Sequence, residues 1–290
     1  MASYRYRVVD VFTERAFEGN PLAVIPDARG LETAAMQRIA REFNLSETTF
    51  VFPPSGPLTV AHVRIFTPTM EMAFAGHPTI GTAWVLRDEQ RIPITERFAF
   101  EEQVGPVPIR ADADGMLWLT TPPITFGRVY KRAACARTLG LRDDDLLATV
   151  PPQFVSAGNP TVFIAVTDPA AVDRAKTERS LVAALHGSDE DPTCLFVFAA
   201  TPRGAYSRMF APELGVVEDP ATGSATGPLA AYMMRHHLVD HRDGTRFVSE
   251  QGVRMGRPSA LYVRVNGNYG EDGIDVGGTV APFGEGTFVA

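Results

Sequence analysis

The sequence contains the stretch HPTIGTA at residues 77–83 and a similar stretch, DPATGSA, at residues 219–225. Both run from a proline into an apolar segment, and the copies lie 142 residues apart. Two further pairs keep nearly this spacing: GNP at 19–21 and 158–160, and RIFTP at 64–68 with RMFAP at 208–212. Three matches in one order at nearly constant spacing predict two copies of one structural unit.

The length of the chain agrees with a duplication. At 290 residues it is long enough for two domains, each with its own core. Residues 121–123, TPP, are the expected hinge, so we expect one domain at 1–123 and the other at 124–275. The final stretch, about 276–290, has no counterpart at the end of the first half, and we expect it to complete the first domain. Two similar halves are expected to enclose a cleft.

Charge and hydropathy limit the kinds of partner. The net charge is −7, and no lysine- or arginine-rich run occurs, which argues against nucleic acid and anionic membranes. No apolar run approaches the roughly 18 residues of a membrane span, and the first residues lack the apolar core of a signal peptide. We therefore expect a cytoplasmic protein that acts on a small molecule.

Motifs for common cofactors are absent from the sequence. The two cysteines, Cys135 and Cys194, have no metal or redox spacing, and no glycine-rich nucleotide motif or zinc-binding HExxH occurs. His236, His237 and His241 lie close together but have no further ligand at matching spacing. We expect neither a cofactor nor a metal.

Periodicity predicts the main elements. Residues 33–43 have apolar positions spaced as on one helix face, and strands are expected at 6–12, 22–25, 46–52 and 60–66, then at 117–120, 154–156, 163–166, 195–198 and 260–265. Residues 82–86 and 229–234 are apolar on every side, so each is predicted to be a helix enclosed by sheet. Pro228 places the start of the second helix near Gly223 or Ser224, and Thr82 and Ser224 are the predicted N-caps.

Two loops lead into these buried helices. A helix N-terminus presents unpaired N–H groups and suits a carboxylate, although capping and turn geometry alone would also explain the residues there. Asp219 lies in a stretch without Lys or Arg from 209 to 234, so it is either a neutral acid or a turn residue that binds local N–H groups.

Two further side chains are candidates for acid–base chemistry. His77 occupies the position that matches Asp219 in the repeat, and its alternative is a structural histidine. Glu47 lies between a helix end and an apolar strand, where it suits proton transfer if it points into the cleft; its alternative is a solvated loop glutamate.

The motifs together resemble the phenazine-biosynthesis PhzF-like family. The resemblance runs nearly end to end and is carried by FEGNPLAV at 17–24, NLSET at 44–48, FTP at 66–68, GHPTIGTA at 76–83, EDPATGSA at 218–225 and QG at 251–252. It implies an α+β fold of the diaminopimelate epimerase type, in which each of two pseudo-symmetric domains wraps a barrel-like, mostly antiparallel sheet around a central helix. It also implies a cofactor-independent isomerase that forms a homodimer.

The resemblance also implies roles for particular residues. The glutamate of the Ser-Glu-Thr motif is implied to be the proton shuttle, here Glu47, with support from His77 and Asp219. Substrate binding is implied for Ser46, for Gly76 with His77, and for Gly223 with Ser224, the two glycine positions holding the substrate carboxylate.

These expectations combine into one hypothesis with two rivals. The hypothesis is an isomerase that moves a proton between carbons of a small carboxylated metabolite by general acid/base catalysis. A lyase or dehydratase would use the same base but expel a group, and its products would differ. A non-catalytic binding protein would hold the ligand without turnover.

Overall fold

The computed structural model describes residues 2–92, 97–186, 194–240, 242–266 and 273–290. The chain forms two compact units, one of Met1–Thr120 with Gly277–Ala290 and one of Thr121–Val276. The sequence predicted that residues 1–123 with about 276–290 form one domain and residues 124–275 the other. Whether these segments fold independently stays a prediction, which limited proteolysis tests.

The described residues of the first unit form two helices and a mostly antiparallel sheet. Its strands are β1 (Ser3–Val11), β2 (Asn20–Ile25), β3 (Glu47–Phe52), β4 (Ala61–Phe66), β5 (Glu71–Met72), β6 (Arg97–Glu102), β7 (Gly105–Ala111), β8 (Leu117–Thr120) and β18 (Val280–Val289), and its helices are α1 (Thr33–Phe43) and α2 (Gly76–Asp88). Strands β2 and β3 pair in parallel, as do β4 and β6. The pairs β1–β18, β1–β2, β3–β4, β6–β7 and β7–β8 are antiparallel.

The second unit contains the remaining elements. Its strands are β9 (Thr125–Val129), β10 (Gln153–Ser156), β11 (Thr161–Val166), β12 (Cys194–Thr201), β13 (Gly204–Ala211), β14 (Val216–Asp219), β15 (Arg246–Gln251) and β16 (Ser259–Val265), and its helices are α3 (Arg132–Thr138), α4 (Pro169–Arg174), α5 (Arg179–His186) and α6 (Gly223–Arg235). Strand β17 (Ile274–Gly278) includes the residues at which the chain returns to the first unit.

Strand order confirms the predicted duplication. In the second unit β11–β12 and β13–β15 pair in parallel, while β10–β11, β12–β13 and β15–β16 are antiparallel. This is the same succession that β1 to β7 show in the first unit. The repeated arginine also makes the same contacts twice: Arg64 binds Glu71 through two hydrogen bonds of 2.7 Å, and Arg208 binds Glu218 at 2.8 and 2.7 Å.

Each unit encloses one apolar helix, as the sequence predicts. Helix α2 is buried over nearly its whole length and contacts β1, β2, β3, β8 and β18. Helix α6 is similarly buried and contacts β10, β11 and β16. Gly81 makes the close packing of α2 possible, because a Cβ there would lie 2.6 Å from the Leu22 side chain.

The starts of the buried helices correct two predictions. Helix α2 begins at Gly76 after Ala75, so Thr82 lies inside the helix and is not its N-cap. Helix α6 begins at Gly223, as predicted, but its N-cap is Thr222 and not Ser224. Pro228 is the sixth helical residue and lies beyond the first turn. Burial inside the unit stabilises these irregular first turns where local sequence preference does not.

Helices also cover the outer faces of the sheets. In the first unit Met36 and Ala40 of α1 pack with Phe50 and Phe66. In the second, residues of α3, α4 and α5 pack against Val162, Ile164 and Val166 of β11, while the alternate residue Phe163 packs with Tyr232 of α6. The predicted helix at 33–43 is confirmed to the residue, and it ends at Asn44 in a left-handed conformation. None of the described helices is long and apolar enough to cross a membrane.

Candidate active site

The first cluster of polar side chains lies at the N-terminal ends of three elements of the first unit. Asn20 is the first residue of β2 and Glu47 the first of β3, and the parallel register of these strands pairs Leu22 with Glu47. His77 is the second residue of α2. Adjacent parallel strands bring their N-terminal ends together, which places Asn20 and Glu47 beside the helix start.

Asn20, His77 and Glu47 form a chain of contacts. The Asn20 Nδ2 atom lies 3.3 Å from His77 Nδ1, and His77 Nε2 lies 3.4 Å from Glu47 Oε2. With Nδ1 accepting from the Asn20 amide, the hydrogen of a neutral imidazole is on Nε2, the ring nitrogen nearer Glu47. The 3.4 Å separation brings the two groups together without the geometry of a hydrogen bond.

Burial keeps the imidazole of His77 neutral. The residue is 4% exposed, and desolvation lowers its pKa to about 3. A negative charge on Glu47 would raise the pKa of His77, but the lowering by desolvation is large enough to leave the ring neutral at physiological pH. His77 is therefore suited to donate a hydrogen bond and does not serve as a cation.

Glu47 is not the solvated loop residue of the alternative interpretation. Its side chain is 16% exposed and begins a strand whose next three residues, 48–50, are fully buried. Ser46 is half-buried beside it, and Gly76 is buried at the start of α2. The N-cap residue Ala75 has an extended backbone and no side-chain hydrogen bond to the first turn.

The second cluster surrounds Asp219 in the second unit. Asp219 ends β14 and accepts a short hydrogen bond from the Thr222 hydroxyl. Gln251, at the end of β15, donates to the Thr222 hydroxyl at 2.9 Å and to the Asp219 carbonyl at 2.7 Å, and it accepts from the Thr222 N–H. The Thr222 hydroxyl is thus directed at Asp219 and does not cap α6.

Contacts of the repeated asparagine correct the predicted matching of the two halves. Asn159 Nδ2 donates to Ser224 Oγ at 2.9 Å, just as Asn20 contacts His77. Ser224 is the second residue of α6 and His77 the second of α2, so His77 corresponds to Ser224. The sequence alignment that matched His77 to Asp219 is wrong, because the copies differ in length before they reach the helix: the repeated arginine and its glutamate are seven residues apart in the first copy and ten in the second.

The structure therefore brings Glu47 and His77 together and places Asp219, Gly223 and Ser224 at the start of α6 in the second unit. Sequence reasoning missed Asn20, Asn159 and Gln251 as site residues. The repeat did mark the two asparagines through both GNP stretches, but no role was assigned to their side chains. Their side-chain roles follow only from the contacts.

Metal binding finds no support in the described residues. No cluster of three His, Cys, Asp or Glu side chains suits a metal ion in that part of the chain. His236 packs edge-on against Tyr232 with ring centroids 4.6 Å apart. His241, the third histidine of the sequence cluster, lies outside the described residues.

Comparisons with known proteins agree over the whole chain. Residues 9–286 match the PhzC-PhzF family, described as phenazine biosynthesis-like protein. A trans-2,3-dihydro-3-hydroxyanthranilate isomerase from Pseudomonas chlororaphis is 37% identical over 295 residues, covering 99% of both chains. An uncharacterized isomerase from Clostridium acetobutylicum is 34% identical over 275 residues, covering 90% of both.

Solved structures confirm the fold expected from the resemblance. A PhzF-family phenazine biosynthesis protein from Bacillus anthracis matches with a TM-score of 0.91 at 25% identity, covering 100% of both chains. A hydroxyproline epimerase from Agrobacterium vitis matches with a TM-score of 0.64 at 13% identity, covering 98% of this chain and 92% of that one. The second likeness shows the fold alone, that of the epimerase and racemase enzymes.

Proposed function

The chain belongs to the phenazine biosynthesis-like protein family and is an isomerase, and we propose that Glu47 is the group that moves the proton. The observation that carries the proposal is the buried contact of Glu47 Oε2 with His77 Nε2 at 3.4 Å. A carboxylate held among buried side chains, 16% exposed, is suited to removing a proton from carbon.

The proton balance of the reaction needs no further reactant. The Glu47 carboxylate takes a proton from one carbon of the substrate, and the electron pair of that C–H bond spreads over the conjugated system. Protonated Glu47 then returns the proton to another carbon of the same system and regains its charge. Neutral His77 donates its Nε2 hydrogen to the carboxylate, and Asn20 fixes the imidazole tautomer.

Backbone N–H groups are proposed to hold the substrate carboxylate. Gly76 with His77 and Gly223 with Ser224 begin helices whose N-cap side chains make no capping hydrogen bond, so their N–H groups suit an anion. Ser46 is proposed as a further substrate contact, and Asp219, supported by Thr222 and Gln251, as a second catalytic carboxyl. Stabilisation of the developing negative charge adds to the roughly 10²–10⁴-fold that acid–base transfer contributes.

The substrate is proposed to be a small unsaturated carboxylate. Relatives from Pseudomonas are named trans-2,3-dihydro-3-hydroxyanthranilate isomerase, and that compound is the first probe. We further propose, on the resemblance alone, a cytoplasmic homodimer; light scattering tests the dimer, with an expected mass of twice 31.5 kDa.

Deuterium incorporation tests the proposal. The enzyme is incubated in D2O with trans-2,3-dihydro-3-hydroxyanthranilate and a panel of small unsaturated and amino carboxylic acids, and products are followed by NMR. Wild type and the control Glu42→Gln, an exposed carboxyl on α1, are expected to incorporate label. Glu47→Gln is expected to lose at least about 10²-fold in rate.

Each other outcome changes the assignment. If Glu47→Gln incorporates label at the wild-type rate, Glu47 is not the base. A product that has lost a group identifies a lyase. Ligand binding without label in any sample identifies a binding protein.

A further inference from the structure

Glu102 is a buried carboxyl that the proposed reaction does not use. It ends strand β6, is 4% exposed, and its Oε1 atom lies 2.5 Å from the Thr79 hydroxyl on α2. Its Oε2 atom is buried without a hydrogen-bond partner. Within the part of the chain that the structure describes, Thr79 is its only hydrogen-bond partner, and no cation pairs with it.

The hydrogens of this contact point to a protonated acid. The Thr79 hydroxyl lies 2.5 Å from Glu102 and 2.8 Å from the Ala75 carbonyl. A hydroxyl has one hydrogen, and a carbonyl only accepts, so the arrangement satisfies both contacts when Thr79 donates to Ala75 and Glu102 donates to Thr79. That assignment requires a proton on Glu102.

The second unit supplies an internal comparison. Gln251 ends β15 as Glu102 ends β6, and each side chain hydrogen-bonds a threonine near the start of the enclosed helix, Thr222 at the N-cap of α6 and Thr79 at the fourth position of α2. Gln251 is an uncharged donor that gives a hydrogen bond to the Thr222 hydroxyl. The same place in the duplicated fold is thus filled by an amide in one copy and by an acid in the other, and a protonated acid is the form that matches the amide.

Other ionisable groups nearby face elsewhere. On β6 itself, Glu101 accepts two hydrogen bonds from Ser55 on the exposed side, and Arg97 lies at the far end opposite Arg110 of β7. On β4, His62 pairs with Glu101 in the strand register. On α2, His77 contacts Asn20 and Glu47.

Burial has a consequence for the acidity of the group. Desolvation raises the pKa of Glu102 to about 8, and a hydrogen bond donated by Thr79 to the ionised carboxylate lowers that pKa by a smaller amount. In the unfolded chain the group ionises near its ordinary pKa of 4.5. Folding therefore holds a proton on Glu102 over the pH range between these values.

We propose that Glu102 is a positioning residue that remains protonated at neutral pH and, through Thr79 and Ala75, holds the first turn of α2 that carries His77. When the carboxyl ionises at alkaline pH it no longer donates to Thr79, and the turn is released. The connection to catalysis rests on the proposed function; the protonation state and its effect on the turn do not.

Stability against pH tests the protonation state. Because the folded pKa is raised, stability is lost as pH rises above 4.5, until the folded group also ionises near pH 8. Between pH 5 and pH 8 the unfolding constant of wild type is expected to rise at least roughly 10²-fold more than that of Glu102→Gln. The exposed neighbour Glu101→Gln is the matched control and should follow wild type. Parallel profiles for wild type and Glu102→Gln overturn the proposal.

The imidazole signals of His77 test the positioning role without any substrate. In wild type these NMR signals are expected to move near pH 8, whereas in Glu102→Gln they stay at their neutral-pH positions throughout. Glu102→Ala has no hydrogen-bond donor for Thr79 and should shift the His77 signals at every pH. Unshifted signals in Glu102→Gln would then show that the shift comes from the lost hydrogen bond and not from lost stability. His77 signals that do not move in wild type, or that move equally in Glu102→Gln, contradict the proposal. Neither the pH dependence of stability nor the His77 signals depends on turnover, so both tests hold even if the D2O assay fails.

Discussion

At the scale of single residues, environment decides the chemistry. His77 has an ordinary side chain, but burial and the Asn20 amide give it one neutral tautomer with its hydrogen on Nε2. Glu47 Oε2 lies 3.4 Å from that nitrogen, at the start of a strand whose residues 48–50 are fully buried. We propose that the two side chains act together as the carboxylate and its hydrogen-bond donor.

The low pKa of His77 predicts a loss of stability in acid. Unfolded histidine takes up a proton near pH 6.5, whereas the folded residue does so only near pH 3, so stability present above 6.5 is lost as pH falls. Between pH 7.5 and pH 5 we expect wild type to lose about 2 kcal/mol more than His77→Gln in urea unfolding. His62→Gln, at a half-buried position on β4, is the control. Equal acid sensitivity of wild type and His77→Gln would show a charged imidazole.

Sequence predicted some of these residues and not others. His77 was singled out by its place in the repeat and Glu47 by its place between a helix end and a strand, and the family resemblance gave both residues their roles. Asn20 was missed because its side-chain partner is 57 residues away. Glu102 was missed because a glutamate at a strand end is usually solvated, and only the packing of α2 buries it.

At the scale of elements, periodicity predicts helix α1 and underestimates α2 and α6. The amphipathic stripe and the left-handed Asn44 define α1. Helix α2 starts six residues before the predicted cap, because glycine and proline in its first turns are poor helix formers. Enclosure by the sheet stabilises these turns, and the local sequence pattern does not predict that enclosure.

Close packing of α2 predicts a specific cost. In Gly81→Val the new side chain would meet Leu22 and Val11, both fully buried, and we expect a destabilisation of about 1–3 kcal/mol by overpacking. Gly56, where an added Cβ meets nothing within 4 Å, provides the control, and Gly56→Val should change stability by less than about 0.5 kcal/mol. Equal urea midpoints for the two variants would contradict this packing.

At the scale of the whole molecule, duplication explains the architecture. The repeated motifs predicted two copies, and the strand pairings and the Arg–Glu pairs confirm them. Sequence spacing alone matched His77 to Asp219 wrongly, since the segment between the repeated arginine and its glutamate is three residues longer in the second copy. Contacts of the two asparagines are what restore the match.

The two copies are not equally dependent on their arginine. Arg208 also donates to the carbonyls of Val172, Asp173 and Ala175, and its side chain is 11% exposed against 23% for Arg64. We expect Arg208→Met to cost about 3–5 kcal/mol, because it leaves the Glu218 carboxylate, 14% exposed, without its partner and removes the bonds to the three carbonyls. Arg64→Met should cost about 1–2 kcal/mol. Urea unfolding measures both, and a larger cost at Arg64 would reverse the assignment.

Transfer of a label between carbons tests the central claim most directly. trans-2,3-Dihydro-3-hydroxyanthranilate, deuterated at the carbon that loses its proton, is converted in ordinary water, and deuterium at the new carbon is measured by NMR and mass spectrometry. If Glu47 removes and returns the same proton, wild type is expected to carry part of the label across, and Glu47→Gln to lose both turnover and transfer. Conversion by Glu47→Gln at the wild-type rate, with the same label transferred, would contradict the account.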